Sequence, residues 1–401
     1  MDKICNLRSI LKLMVMPNNE KYLRKLSVIE QAGSYRELRH VEHNGFLIND
    51  GGEELLNLSS NDYLGIASNP NMLEDFHKKT DVKSMPLSAS STRVLSGNHD
   101  QYAPLEEDLA DMYGKESALV FSSGYHANTG ILPALAGSKD LIIVDKEVKA
   151  SIVDGLNLSK AEIKRFYHLE YNDLRYILNR EREDYENVFI VTESVFSISG
   201  DVANLQELCE IKREFDCYLY VDESHALGVC GTNGLGICEE QGCTEEIDFI
   251  VGSFGMALAS VGGFVVCDKL FTDYLVNVQR SLIYSTALPP VNIAWTRYVL
   301  NRLPEFYDMR IKLQQIVEQF RDVLIEKGFE VGGDSHIISL ICGENRAAVE
   351  MSELLRSNGF YALPVCYPTV PKNGAMIRFS FNAAIPQEEY ECLFDFMQCL
   401  E

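Results

Sequence analysis

The sequence predicts an α/β protein with a large, mainly parallel sheet covered by helices, followed by a smaller α+β C-terminal domain. Three observations lead there. Short runs rich in Val, Ile and Leu recur through the middle of the chain, too uniformly apolar for a sheet with one wet face. Helical patterns separate the earlier runs, as in βαβ units. Beyond about residue 290 the order changes to long helices, then single strands alternating with helices.

Residues 18–32 (NNEKYLRKLSVIEQA) have helical spacing, with Gly33 as the stop. Segments 45–48 and 55–58 read as short strands around the turn Asn49-Asp50-Gly51-Gly52. Buried strands are expected at 118–121, 141–144, 188–192, 218–221, 249–251 and 263–266, with helices at 127–135, 151–158 and 205–215. The stretch 249–267 is uncharged and long enough to suggest a membrane span. Gly252, Gly255, Gly262 and Gly263, with Ser253 and Ser260 among them, read instead as strand, glycine loop, strand in a soluble core. Long helices follow over 291–327, then strand 336–341, helix 346–358, strand 376–381 and helix 387–399. The expected division is an N-terminal segment of helix and short strands (1–60), a large domain (61–288) and a small domain (289–401).

The chain has 401 residues, 46% of them hydrophobic, and a net charge of −23. That balance argues against an electrostatic nucleic-acid binder and leaves small anionic ligands open. Eleven scattered cysteines, with no histidine at ligand spacing beside the closest pair, Cys238 and Cys243, read as reduced thiols of a cytoplasmic protein. No metal site is expected. Near the N-terminus Lys12 interrupts the apolar run and no small-residue cleavage site follows, so a signal peptide is not expected.

Four segments carry candidate chemistry. Ser122-Ser123-Gly124-Tyr125 follows a strand and opens a helix, where free backbone amides suit a phosphate. Val221-Asp222-Glu223-Ser224-His225 ends an apolar strand, at the edge where open α/β sheets bind ligands. Asp222 there serves either a ligand or the cap of the next helix. Gly252-Ser253-Phe254-Gly255 is a second glycine turn. Arg378, within a strand, must face solvent or hold an anion.

Together these segments resemble the α-oxoamine synthases, a group of pyridoxal-phosphate (PLP) transferases of fold type I that includes 8-amino-7-oxononanoate synthase of biotin synthesis and glycine C-acetyltransferase. The resemblance runs from about Tyr35 to the end, through LNLSSNDYLG (56–65), FSSGYHAN (121–128), VTESVFSISGD (191–201), VDESHALG (221–228), LIYSTALPP (282–290) and TVPKNGAMIRFSFNAA (369–384). It implies a seven-stranded sheet in a PLP-binding large domain, and decarboxylative joining of an amino acid to an acyl-CoA. By the same resemblance Asp222 pairs with the ring nitrogen of PLP and His225 with its phenolic oxygen. Gly124, Tyr125 and Ser253 cradle the phosphate, while Glu193 and Ser197 line the pocket. Ser285 and Thr286 reach the phosphate from the other subunit of a homodimer. Asn61 lies near the reacting groups, Arg378 clamps the substrate carboxylate, and Arg36 sits on the substrate side.

The pattern breaks at its centre. Where the family has the imine-forming lysine, in a motif close to G-T-F-G-K-A, this chain has Gly252-Ser253-Phe254-Gly255-Met256-Ala257. Methionine is of similar length but offers no amine and no exchangeable proton. Lys149-Ala150-Ser151 replaces the H-A-S motif of the histidine that stacks on the ring. Ser88-Ala89-Ser90-Ser91-Thr92 replaces a glycine-rich turn, and Ile385 replaces a histidine. Lys149 either takes over as the imine lysine or points to solvent. The expected protein is thus a catalytically impaired homologue that retains PLP, if at all, without a covalent link. The alternatives are an active acyltransferase using Lys149, and a non-enzymatic scaffold or partner of an active paralogue.

Overall fold

The six apolar runs become strands at the expected places, each lengthened by a residue or two. The computed structural model describes residues 19–81, 83 and 85–400, so the expectation about a signal peptide lies outside the described residues. The main sheet has seven strands in the order Ser117–Phe121, Gly263–Cys267, Phe249–Ser253, Tyr218–Asp222, Val188–Glu193, Leu141–Asp145, Glu162–Phe166. Gly263–Cys267 runs antiparallel to both neighbours and the other pairs are parallel. Every residue of Leu141–Asp145, Val188–Glu193 and Gly263–Cys267 is buried, as a sheet covered on both faces requires. The stretch resembling a membrane span is two antiparallel strands and a glycine loop. Among the described residues no helix is long and apolar enough to cross a membrane.

The seventh strand, Glu162–Phe166, is absent from the sequence reading. Its residues EIKRF are mostly half-exposed at the sheet edge, so it lacks the apolar run that marks its neighbours. The helical stretch expected over 291–327 divides into Pro290–Leu300, a 3₁₀ turn at Leu303–Phe306 and Tyr307–Glu326. Pro304, which has no amide to donate, sits in that turn.

The N-terminal strands Val41–Asn44, Leu47–Asp50 and Glu53–Asn57 form an antiparallel meander. Its last strand pairs in parallel with Phe360–Tyr361, some three hundred residues on. A third sheet, ordered Val331–Gly332, Ile337–Gly343, Ala375–Ser380, Pro364–Val365, is antiparallel throughout. Phe320 on the long helix packs against Phe379, Phe381 and Phe394 and joins that sheet to the C-terminal helix Gln387–Cys399.

Candidate active site

Sheet register creates the central electrostatic problem of this molecule. Glu193 and Asp222 end adjacent parallel strands and are paired residues, so two buried carboxylates lie side by side. Buried like charges need a cation. Lys149 supplies it, with Nζ 2.6 Å from Asp222 Oδ1 and 3.6 Å from Glu193 Oε2. Its backbone amide also donates to Glu193 Oε1 at 2.6 Å. Lys149 precedes the helix Ala150–Leu158, and its side chain is only 16% exposed. It neither points to solvent nor lies free to attack a carbonyl.

Two further donors from the chain reach Asp222. Asn128 Nδ2 donates to Oδ2 at 2.7 Å, and the amide of Ser224 donates to Oδ1 at 2.8 Å. Asn128 also donates to Ser151 and accepts from the Tyr220 hydroxyl at 2.6 Å. Burial pushes the Asp222 carboxyl up, but Lys149, Ser224 and Asn128 together hold it below its ordinary value. For Glu193 burial wins and raises the carboxyl to about 7, with Lys149 opposing. Burial works to discharge Lys149, and the attraction of Asp222 and Glu193 overcomes it, so its pKa lies above that of a free lysine. The ammonium stays charged.

A second group stands beside this one. His225 Nδ1 lies 2.7 Å from the Tyr63 hydroxyl. Burial, reinforced by the charges of Lys149 and Arg378 and by His336, drives the His225 imidazolium well below its usual range. A neutral imidazole either donates to or accepts from the Tyr63 hydroxyl through Nδ1, according to its tautomer, and that hydroxyl also lies 3.2 Å from Asn61 Oδ1. Arg378 is gripped by neutral acceptors only, namely the Ser197 carbonyl at 2.8 Å, Ser380 Oγ at 2.5 Å, Asn61 Oδ1 at 3.3 Å and the Tyr63 hydroxyl at 3.3 Å. A fixed guanidinium so held keeps its charge for an incoming anion.

The third group is the anion cradle. The helix Gly124–Leu135 begins against the ends of the Phe249–Ser253 and Gly263–Cys267 strands. A Cβ at Gly124 would come within 3.0 Å of Ser253 Cβ, so glycine permits that approach. Ser123 caps the helix by accepting from the His126 amide at 3.1 Å, and the amides of Gly124 and Tyr125 lie in the first turn, where intrahelical acceptors are lacking. Ser253 Oγ lies 3.2 Å from the Gly255 amide. The Tyr125 ring is half-exposed, and its hydroxyl bonds Asp154.

Other sequence-predicted positions stand further out. Met256 is half-buried in the glycine loop and packs on the core. Ser285 is half-buried and Thr286 exposed; the Thr286 carbonyl accepts from Ser122 Oγ at 2.8 Å. Arg36 donates to Thr369 Oγ1 at 2.6 Å, in the loop after the cis Tyr367–Pro368 bond. Ser90 holds a φ of 51°, a conformation glycine adopts more easily. Ile385 is wholly buried in the core. Among the described residues no cluster could hold a metal ion, and the described cysteines are free thiols.

Sequence reasoning missed Tyr63, Asn128, Tyr220 and His336. Tyr63 lies within the quoted LNLSSNDYLG motif. Tyr220 is two residues before Asp222 on a strand and so shares its face. Asn128 is one helical turn beyond Gly124, which places it over the same strand ends. His336, packed edge-on against Tyr63 with ring centroids 4.3 Å apart, gave no sequence signal; burial lowers its pKa to about 3.

Fold and site define a class, and comparison with known proteins agrees. Residues 53–396 match the aminotransferase class I and II family, and the chain belongs to it. This is a family of PLP-dependent enzymes, and the fold is type I. Among its relatives, a putative 8-amino-7-oxononanoate synthase of Glaesserella parasuis is 44% identical over 371 residues, covering 92% of this chain and 97% of that protein. The 8-amino-7-oxononanoate synthase of Chlorobaculum parvum is 44% identical over 390 residues, covering 96% and 100%. A serine palmitoyltransferase variant from S. paucimobilis, solved with bound PLP–myriocin aldimine, superposes with a TM-score of 0.87 at 26% identity over 95% of this chain and 96% of that one. The 8-amino-7-oxononanoate synthase of Francisella tularensis gives 0.72 at 28% identity, covering 86% and 97%.

The residues present fit PLP at one end only. The glycine cradle at Gly124 and Ser253 suits a phosphate. Asp222, which the resemblance gives to the ring nitrogen, already pairs with Lys149 at 2.6 Å, and Met256 has no amine. Covalently held PLP does not fit this pocket.

Proposed function

We propose that this chain is a homologue of the PLP-dependent acyl-CoA:amino-acid C-acyltransferases in which decarboxylative condensation is impaired. The observation that carries this reading is the Lys149–Asp222 contact of 2.6 Å. Met256 supplies no amine, and the lysine standing in the pocket is held as an ammonium, which has no lone pair for a carbonyl. PLP, when bound in this family, supplies an electron sink for carbanion chemistry. The chain's own groups retain the accompanying tasks. Arg378 would bind a substrate carboxylate, His225 would hydrogen-bond a ring oxygen, and the Gly124 turn would hold a phosphate.

A homodimer with shared sites, formed around Ser285 and Thr286, belongs to the same reading, as do a cytoplasmic location and a large domain over 61–288 between the 1–60 and 289–401 units. Use of Lys149 as a relocated imine lysine is the less favoured reading, because that residue would first have to leave two carboxylates. A scaffold role is the third reading, favoured by the Lys149 ammonium standing between Asp222 and Glu193.

The deciding experiment supplies purified protein with PLP, alanine and a series of acyl-CoAs and follows release of CoA and carbon dioxide. No turnover above a boiled control is expected, since loss of general acid–base catalysis alone costs about a hundredfold to ten-thousandfold. Sustained turnover abolished by Lys149→Met would replace this reading with the relocated lysine.

A further inference from the structure

Both ends of Lys149 are fixed. Its amide donates to Glu193 Oε1 at 2.6 Å, and its ammonium reaches across to Asp222 Oδ1 at 2.6 Å. The two carboxylates are neighbours because the strands pair in register, so the need for a cation is built into the sheet. Glu193 Oε2 has no hydrogen-bond partner, leaving the ammonium 3.6 Å away as its nearby compensation. Asp222 Oδ1 also accepts from the Ser224 amide, and Oδ2 accepts from Asn128. The Glu193–Asp222 pair is therefore neutralised and hydrogen-bonded by the chain alone, and the turn of Gly124 and Ser253 supplies a separate anion cradle.

We infer that Lys149 is a resident counter-ion that takes the place against Asp222 of a ligand's cationic ring nitrogen, so that the pocket favours phosphate-bearing aromatic ligands without a basic ring nitrogen over PLP itself. The inference rests on the reading of this pocket as a cofactor pocket that has lost its imine lysine. A ligand with a pyridinium must either displace the ammonium from two buried carboxylates or lie against it, and two cations a few ångströms apart in a poorly solvated pocket repel strongly. A ligand whose ring position carries carbon does neither. It keeps the phosphate contacts and leaves the Lys149 pair intact. Met256, apolar and packed on the core, adds no charge that would change this preference.

Isothermal titration of the full chain with two probes tests it. One is PLP, and the other is the benzene analogue of PLP with carbon in place of the ring nitrogen. The wild-type chain is expected to bind the analogue at least about tenfold more tightly, a conservative value for an avoided charge–charge repulsion. In Lys149→Met the ammonium is gone at nearly constant length, and the order should invert by a similar factor. A merely structural role for Lys149 would weaken both ligands together and leave their order unchanged. Should Lys149→Met not fold, the wild-type order still decides. Equal affinities, tighter binding of PLP, or no binding of either probe at millimolar concentration would overturn the inference. These outcomes are separate from the turnover assay: tight binding of PLP without turnover sinks this inference alone, and turnover sinks the functional reading.

Discussion

Asn128 ties three polar groups together, donating to Asp222 and Ser151 and accepting from Tyr220. Asn128→Ala leaves a buried carboxylate short of a donor and a buried phenol without an acceptor. A loss of about 2–4 kcal/mol is expected in urea unfolding. Asn128→Asp should be worse, because a third buried carboxylate would face a single ammonium. Glu193 gives a prediction with a defined pH window. Its carboxyl is raised to about 7 in the folded chain from 4.5, so between those values the native state holds a proton that the unfolded chain has lost. Wild type should therefore lose stability relative to Glu193→Gln as pH rises from about 4.5 to 7, and no further above that. The sum is on the order of 3 kcal/mol, read from urea midpoints across the window. At this scale the sequence was legible where a motif carried the residue, as for Asp222, His225 and Arg378. A partner such as His336 was not legible, because nothing local marks a polar side chain that is satisfied only by folding.

Two helices set where Lys149 stands. Ala150–Leu158 packs on Gly124–Leu135 so closely that a Cβ at Gly155 would lie 2.3 Å from the Asn128 carbonyl oxygen. Gly155→Ala must therefore push the helix outward, carrying Lys149 from Asp222 at one end and disturbing Asn128 beneath. A loss of about 1–3 kcal/mol is expected from thermal unfolding, as for other overpacked cores, despite alanine's better helix propensity. Across the neighbouring strands His168 clamps two carboxylates, with Nδ1 2.9 Å from Asp145 and Nε2 3.1 Å from Asp201. Burial opposes its charge, but the Asp145 and Asp201 hydrogen bonds raise its pKa from 6.5 to about 10. The stabilisation is complete below about pH 6.5 and fades as pH rises through about 10. His168→Gln should cost about 2–3 kcal/mol at pH 6, and the gap from wild type should close toward pH 10 in urea titrations. Element positions in the main sheet followed from apolar runs alone. The polar edge strand Glu162–Phe166 did not, since pairing on one side leaves little apolar demand.

Across the whole molecule, local patterning recovers the main sheet, whereas contacts between distant segments escape it. Pairing of Glu53–Asn57 with Phe360–Tyr361 is one example, because the second strand is two residues long and its partner lies at the other end of the chain. Leu87 is 84% exposed, Leu95 80% and Tyr284 69%. The antiparallel bridge between Thr92 and Thr286 brings the 87–95 segment beside the 284–286 segment, so these exposed groups gather on one side, next to the turn that holds Gly124. Grouped apolar exposure at a site rim fits a surface covered by a second copy, and a two-fold axis presents each residue twice. A chain of net charge −23 repels its own kind at long range, so association must come from desolvation at such a patch. Leu95→Glu places two further negative charges across that axis and removes two apolar contacts. Sedimentation at micromolar concentration should show wild type as a dimer at physiological salt and Leu95→Glu as predominantly a monomer with unchanged circular dichroism. Wild type sedimenting as a monomer would remove both the dimer and the role given to Thr286. If Thr286 completes the neighbour's phosphate cradle, Thr286→Ala should stay dimeric yet bind the phosphate-bearing analogue about tenfold more weakly, as expected for one lost hydrogen bond to a charged group.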